Sequence, residues 1–350
     1  MVMNVKGYAA LAVKEDLVPH NFVRRDPRED DVVIDILYSG VCHSDIHNAY
    51  NDWGGAKYPM VPGHEIIGRV VHVGKSVTKF KVGDLAGVGC MVDSCQHCSA
   101  CEQGLEQYCE EGNTLTYNDI DRHDGLPTFG GYSDKIVVTE KFVVKVPEGI
   151  DLRGAAPLLC AGITTWSPLR HWQVGEGSKV AVVGLGGLGH MAIKLANALG
   201  AEVTLFTRSP GKEADARRLG ASHVVLSTDS EQMKATANQF DLIIDTVPYV
   251  HDLNPYIPTL ALSGTLVLVG YLGALDPFLN TVPLILGRRS VAGSVIGGIA
   301  ETQEMMDFCG QHGITADVAV IDIQDINRAW QRMLKSDVKY RFVIDISSLK

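Results

Sequence analysis

Residues 93–109 read DSCQHCSACEQGLEQYC and hold four of the chain's eight cysteines, Cys95, Cys98, Cys101 and Cys109. The spacing C-x2-C-x2-C-x7-C lets one looping segment wrap four thiolates around a tetrahedral zinc ion. Iron–sulfur ligation is the rival, but bacterial ferredoxin motifs continue after the third cysteine with three residues and Cys-Pro. Here seven residues intervene and Glu110 follows. Disulfides or idle thiols are the third reading. A zinc ion with four protein ligands has no open position, so this cluster is a staple and not a reaction centre.

Zinc-type ligands also occur in GVCHSDIHNAY (40–50), PGHEIIG (62–68) and LLCAGITTWSP (158–168). A catalytic zinc keeps three protein ligands and one open place, and Cys42, His64 and Cys160 would make a Cys2His set. Spacing alone does not select them. A third constellation is Gly184-Leu-Gly186-Gly187-Leu188-Gly189, between the apolar run SKVAVVG (178–184) and the helical pattern LGHMAIKLANALG (188–200). Strand, glycine loop and helix in that order bring a pyrophosphate against a helix N-terminus, where unpaired N–H groups favour anions. The next strand ends in Phe206-Thr207-Arg208-Ser209-Pro-Gly-Lys212, with no carboxylate before Glu213. An NAD site places an acid there for the ribose hydroxyl; Thr207, Arg208, Ser209 and Lys212 instead suit a 2′-phosphate and favour NADP(H). The alternative is a solvated loop beside NAD.

The elements that must position these residues change character near residue 150. Before it, DVVIDILYSG, IIGRVVHVG, DLAGVGC and DKIVVTEKFVVKVPEG are short β-rich runs punctuated by Gly and Pro, which predict a twisted, barrel-like β domain. After it, strands and helices alternate, with EVTLFT, HVVLS, DLIIDTV and TLVLVGY as further strands. Repeated βαβ units predict a doubly wound parallel sheet, so the fold class is α/β. The stretch 315–350 contains strand, helix and strand, and its pattern is compatible either with extending that sheet or with returning to the first domain.

At 350 residues the chain is long enough for two domains. Formal charge is −10 and no Lys/Arg run exceeds two residues, which disfavours nucleic acid and anionic membranes as partners. No apolar run reaches the roughly 18 residues needed to span a bilayer. The start MVMNVKGYAALAVKEDLV lacks the signal-peptide series, so the expected location is the cytoplasm, where thiols stay reduced.

Taken together and in this order, the ligand stretches, the cysteine cluster and GLGGLG resemble the zinc-dependent medium-chain alcohol dehydrogenases. The likeness is to the cinnamyl alcohol dehydrogenase branch, which includes bacterial NADP-dependent aldehyde reductases, and it covers essentially the whole chain. It implies a GroES-like catalytic domain over residues 1–152, a Rossmann cofactor domain over 153–300 and a C-terminal segment, 301–350, completing the first domain. By the resemblance, Cys42, His64 and Cys160 are catalytic-zinc ligands, and Cys95, Cys98, Cys101 and Cys109 hold a structural zinc. Glu65 matches an acidic residue able to approach the metal. Ser44 and His47 match a proton relay, and Asp45 a carboxylate orienting the zinc histidine. His43 either faces the pyrophosphate or is a loop histidine. Thr164, Val269, Leu272, Ser294 and Ile296 resemble cofactor-lining positions, and Trp53 a substrate-pocket aromatic. Cys90 and Cys309 read as buried structural thiols. The implied reaction is interconversion of primary alcohols and aldehydes, mainly aldehyde reduction, with NADP(H). The segment RRSVAGSVIGG would be a subunit-joining edge, so a homodimer is expected.

Overall fold

The strand Asp31–Val41 is eleven residues long and buried on both faces, with Val32, Val33, Ile34 and Ile36 in the core. Its length decides the topology of its sheet. Along one edge it takes Lys135–Thr139 at its first half (Asp31 opposite Thr139) and Arg341–Asp345 at its second (Phe342 opposite Val41). Along the other it pairs with Ile66–Val73, which continues to Leu85–Val88 and Val144–Lys145. The strand Val318–Asp322 closes the far side in parallel with Arg341–Asp345, completing a seven-stranded sheet. Residues 315–350 therefore return to the first sheet, a choice their own pattern left open.

The computed structural model describes residues 3–270 and 273–350. It resolves into two compact units, Met1–Cys160 with Gly297–Lys350, and Ala161–Ile296. Among the described residues no helix is long and apolar enough to cross a membrane.

The second unit is built on six parallel strands in the order His223–Leu226, Glu202–Thr207, Lys179–Val183, Phe240–Asp245, Leu260–Leu268 and Ser290–Gly293. Numbered along the chain this is 3-2-1-4-5-6, the order of dinucleotide-binding sheets, whose ligands sit beyond the carboxyl ends of the strands at the central reversal. Val180, Ala181, Val182 and Val183 are buried, as a central strand covered on both faces requires. The chain then turns through Gly184 at φ +89°, a left-handed conformation that glycine adopts without steric cost. The helix Gly189–Ala198 starts so close to this turn that a Cβ on Gly189 would lie 2.0 Å from the Gly184 carbonyl oxygen. Nothing lies within 4 Å of a Cβ placed on Gly186, so the loop is tight beneath and open above.

Candidate functional site

The central strand of the first unit runs directly into the helix His43–Ala49, with Cys42 at its N-cap. Asp45, fully buried in the first turn, turns back to accept the Cys42 N–H at 2.9 Å. The same carboxylate accepts the Gly63 N–H (3.1 Å) and the Tyr132 hydroxyl (3.0 Å), and lies 3.1 Å from His64 Nδ1. With Nδ1 engaged, Nε2 is the His64 atom that could bind a metal. Burial disfavours a charged His64, but the Asp45 carboxylate outweighs it and raises the imidazole well above its ordinary range. Tyr117 stacks on the other side of the ring, centroids 5.7 Å apart, and its hydroxyl accepts from Asn48.

Cys160 arrives from a third segment, and its sulfur lies 4.0 Å from that of Cys42. One ligand atom each from Cys42, His64, Glu65 and Cys160 falls within 4.8 Å of the others, and all four residues are buried. Hydrogen bonding with Cys160, opposed by burial and aided by the Arg341 charge, holds the Cys42 thiol well below its usual range; Cys160 is raised correspondingly.

Glu65 pairs through Oε1 with Arg341, and both side chains are buried. Its Oε2 is a buried oxygen with no hydrogen-bond partner among the described residues. Gly40 gives this carboxylate its room, since a Cβ there would lie 1.8 Å from Oε2. Two soft thiol sulfurs, an imidazole nitrogen and an orphaned carboxylate oxygen in one buried cluster fit a zinc ion by donor chemistry.

Ser44 places Oγ 3.6 Å from the Cys42 sulfur. His47 lies three residues further along the same helix, on the same face. Its Nδ1 is 2.9 Å from Asp52 Oδ2, and its ring is 5.1 Å from that of Trp53, which is exposed. His43 is half-buried, bonded to the Met333 backbone, and lowered below the usual imidazole range first of all by burial. Cys90, expected to be a buried thiol without ligand-like surroundings, is half-buried, and its thiol donates to the Leu159 carbonyl at 3.8 Å, next to Cys160 in the chain. Cys309 is buried.

The second cysteine group is self-contained. Ligand atoms of Cys95, Cys98, Cys101 and Cys109 lie within 4.8 Å of one another. Backbone N–H groups point at the sulfurs: Cys95 N to Cys109 (3.4 Å), Cys98 N to Cys95 (3.3 Å) and Glu110 N to Cys98 (3.4 Å). The Glu110 N–H, followed by that of Cys101, draws the Cys98 thiol down to about 6. Such donors stabilise thiolate, the form that binds metal.

In the second unit the expected cofactor residues gather at the carboxyl end of the sheet. Gly184, Gly186, Gly187, Leu188 and Gly189 cap the strand Lys179–Val183. Thr207 ends the neighbouring strand, and its Oγ1 accepts the Ser209 N–H at 3.1 Å. Arg208 and Ser209 are exposed, and the Lys212 ammonium lies 3.5 Å from the Leu185 carbonyl. Glu213, the first acid, is ion-paired with Arg217 on the helix that follows. Val269 follows the strand Leu260–Leu268, and Ser294 and Ile296 follow Ser290–Gly293, on the same edge. Thr164 is buried in the helix Ala161–His171. Leu272 lies outside the described residues. An open glycine loop at a helix N-terminus, beside a basic and hydroxyl-rich turn, fits a phosphorylated dinucleotide.

Residues 28–148 match the family model of the alcohol dehydrogenase GroES-like domain, and residues 187–311 that of the zinc-binding dehydrogenases. Aldehyde reductase YahK of Escherichia coli (strain K12) is 51% identical over 348 residues, covering 99% of each chain. NADP-dependent alcohol dehydrogenase C of Mycobacterium bovis is likewise 51% identical, with 99% of each chain covered. The crystal structure of CAD from Helicobacter pylori complexed with NADP(H) superposes with a TM-score of 0.92 at 46% identity, over 99% of each chain. The chain belongs to the zinc-binding dehydrogenases that carry an alcohol dehydrogenase GroES-like domain.

Several residues of the site escaped the sequence reading. Arg341, Tyr132 and Tyr117 come from segments remote from the ligand motifs, and Asp52 sits in an exposed turn. Arg341 alone left a signal, a lone cation inside the apolar strand pattern YRFVIDI. Arg341→Met would strand the buried Glu65 carboxylate, with an expected loss of about 3–5 kcal/mol in urea unfolding. Adding Glu65→Gln should recover part of that loss.

Proposed function

We propose that this protein is a zinc-dependent oxidoreductase that interconverts primary alcohols and aldehydes with NADP(H), working mainly as an aldehyde reductase. The observation that carries this reading is the buried convergence of Cys42, His64, Glu65 and Cys160. Support comes from the family membership and from relatives of about half-identical sequence named as NADP-dependent alcohol dehydrogenase and aldehyde reductase.

In this reading Cys42, His64 and Cys160 hold the catalytic zinc, and Cys95, Cys98, Cys101 and Cys109 the structural one. A zinc ion bound at the first set supplies Lewis-acid polarisation of the substrate oxygen, and the nicotinamide supplies or accepts hydride at the neighbouring carbon. Asp45 holds His64 by Nδ1 and so aims Nε2. The Arg341–Glu65 pair keeps the carboxylate next to the donors charge-compensated. Aldehyde reduction consumes a proton, and the Ser44 hydroxyl delivers it to the substrate oxygen. His47 restores that proton: Asp52 takes Nδ1–H, leaving Nε2 to exchange with Ser44 and, at its exposed edge, with solvent. Gly184, Gly186, Gly187, Leu188 and Gly189 receive the pyrophosphate. Thr207, Arg208, Ser209 and Lys212 receive the 2′-phosphate, with Thr164, Val269, Ser294 and Ile296 lining the nicotinamide end. Trp53 forms an apolar rim for the substrate beside His47.

The chain also forms a homodimer in this reading, through the open edge of the second unit's sheet at Ser290–Gly293. Around the helix Val282–Gly287 that precedes this edge strand, Leu262, Ile285 and Leu286 are 78%, 76% and 81% exposed. Apolar side chains grouped on a surface in this way mark an interaction site.

A screen of NADPH oxidation over aliphatic and aromatic aldehydes, with NADH in parallel, tests the activity; no turnover by zinc-loaded protein would refute it. Cys160→Ser should lower bound zinc from two equivalents to one by metal analysis and abolish turnover. Ser44→Ala should keep both zinc ions and reduce kcat by about 10²–10⁴. Ile285→Glu with Leu286→Glu should convert a dimer to a monomer by analytical ultracentrifugation.

A further inference from the structure

One buried ionisable pair takes no part in the chemistry above. Asp245 ends the strand Phe240–Asp245 and is fully buried. Its Oδ1 accepts the Val247 N–H at 3.0 Å, and its Oδ2 lies 2.9 Å from His251 Nε2. The second contact is an ion pair rather than an aligned hydrogen bond. The other ring nitrogen, Nδ1, is 2.9 Å from the Tyr249 carbonyl oxygen. One nitrogen faces a carbonyl and the other a carboxylate, so both are placed to carry protons and the surroundings favour the imidazolium. Asp245 raises the His251 pKa above the ordinary 6.5, against the opposing pull of burial.

This pair sits two strands from the phosphate corner. Val183 is in register with Phe206 on one side and with Asp245 on the other, which puts those two residues about 10 Å apart. Arg208 lies two residues beyond Phe206. Tyr256 bridges the gap, its ring 5.5 Å from Phe206 and 6.3 Å from His251. The charged and titratable groups around the imidazole are Asp245, Asp252, Tyr249 and Tyr256, with Arg208 across Tyr256. With its proton, His251 cancels Asp245 and leaves the corner its positive charge. Without it, a buried carboxylate stands uncompensated about 10 Å, roughly one screening length, from the strand end that leads to Arg208.

We infer that His251 is a positioning residue for the cofactor's phosphate: its proton neutralises Asp245, and loss of that proton weakens NADPH selectively over NADH. The inference rests on the proposed 2′-phosphate site at Arg208 and Lys212. The preference is complete below the ordinary imidazole range and declines as pH rises through the elevated His251 value.

Calorimetric binding of NADPH and NADH to the zinc-loaded protein, from about pH 6 to about pH 9, tests it without turnover. At about pH 6 the ratio of NADPH to NADH affinity in the unmodified protein should match that of the double variant Asp245→Asn with His251→Gln, and by about pH 9 it should lie about three- to five-fold below it. His251→Gln should lie below that double variant by the same factor at every pH. The phosphate's own second ionisation is common to all three proteins and cancels in the comparison. An unmodified protein whose ratio tracks the double variant across the whole window, or a double variant whose ratio is no higher than that of His251→Gln, overturns the inference. Arg208→Ala separates the two readings. If it lowers the ratio while His251 has no effect, only the role of His251 fails; if it leaves the ratio unchanged, the phosphate corner fails and takes the inference with it.

Discussion

Four donors converge on the Asp45 carboxylate, and the geometry of the first unit depends on that convergence. The Cys42 N–H, the Gly63 N–H, the Tyr132 hydroxyl and His64 Nδ1 come from three stretches of chain far apart in sequence. An ionised carboxylate has about four acceptor positions, so each finds a partner and none is left for water. A buried carboxylate satisfied in this way is stable, and removal of any one donor exposes the cost of the rest. Cys42 and His64 are therefore held in place before any metal arrives.

The third sulfur-bearing segment is placed by packing instead. Leu159 presses against Gly87 and Gly89, where a side chain on either glycine would collide with it, and this delivers Cys160 to the cluster. Charge is then balanced locally. The Glu65 carboxylate is offset by Arg341 and the Asp45 carboxylate by its four donors, within a buried volume where uncompensated charge is expensive. Arg341 reaches this place because Phe342 pairs with Val41 and sets the C-terminal strand beside the start of the ligand-bearing helix.

The second unit solves a different problem, the binding of a large anion, and relies on backbone more than on buried side chains. The Gly184 turn and the close start of the next helix present N–H groups to an open space. The basic residues that follow the second strand are exposed, so their contribution depends on the charges behind them. Asp245 and His251 form such a background.

Much of this was readable in the chain by itself. The thiol spacing within 95–109 and the glycine loop are local motifs, in which a few residues contain the whole geometry, and the βαβ alternation after residue 150 follows from periodicity. Positive charge at 208 and 212, without an acid, is likewise a local fact. Cys42, His64 and Cys160 are different: spacing did not select them, and only resemblance to a family joined them before the fold did. The destination of residues 315–350, the Arg341–Glu65 pair and the aromatic walls from Tyr117 and Tyr132 were decided by tertiary structure alone. The physical reason is that strand pairing and burial of charge are non-local. A sequence records which residues can pair, but the register between Asp31–Val41 and Arg341–Asp345, some 300 positions apart, determines which of them meet.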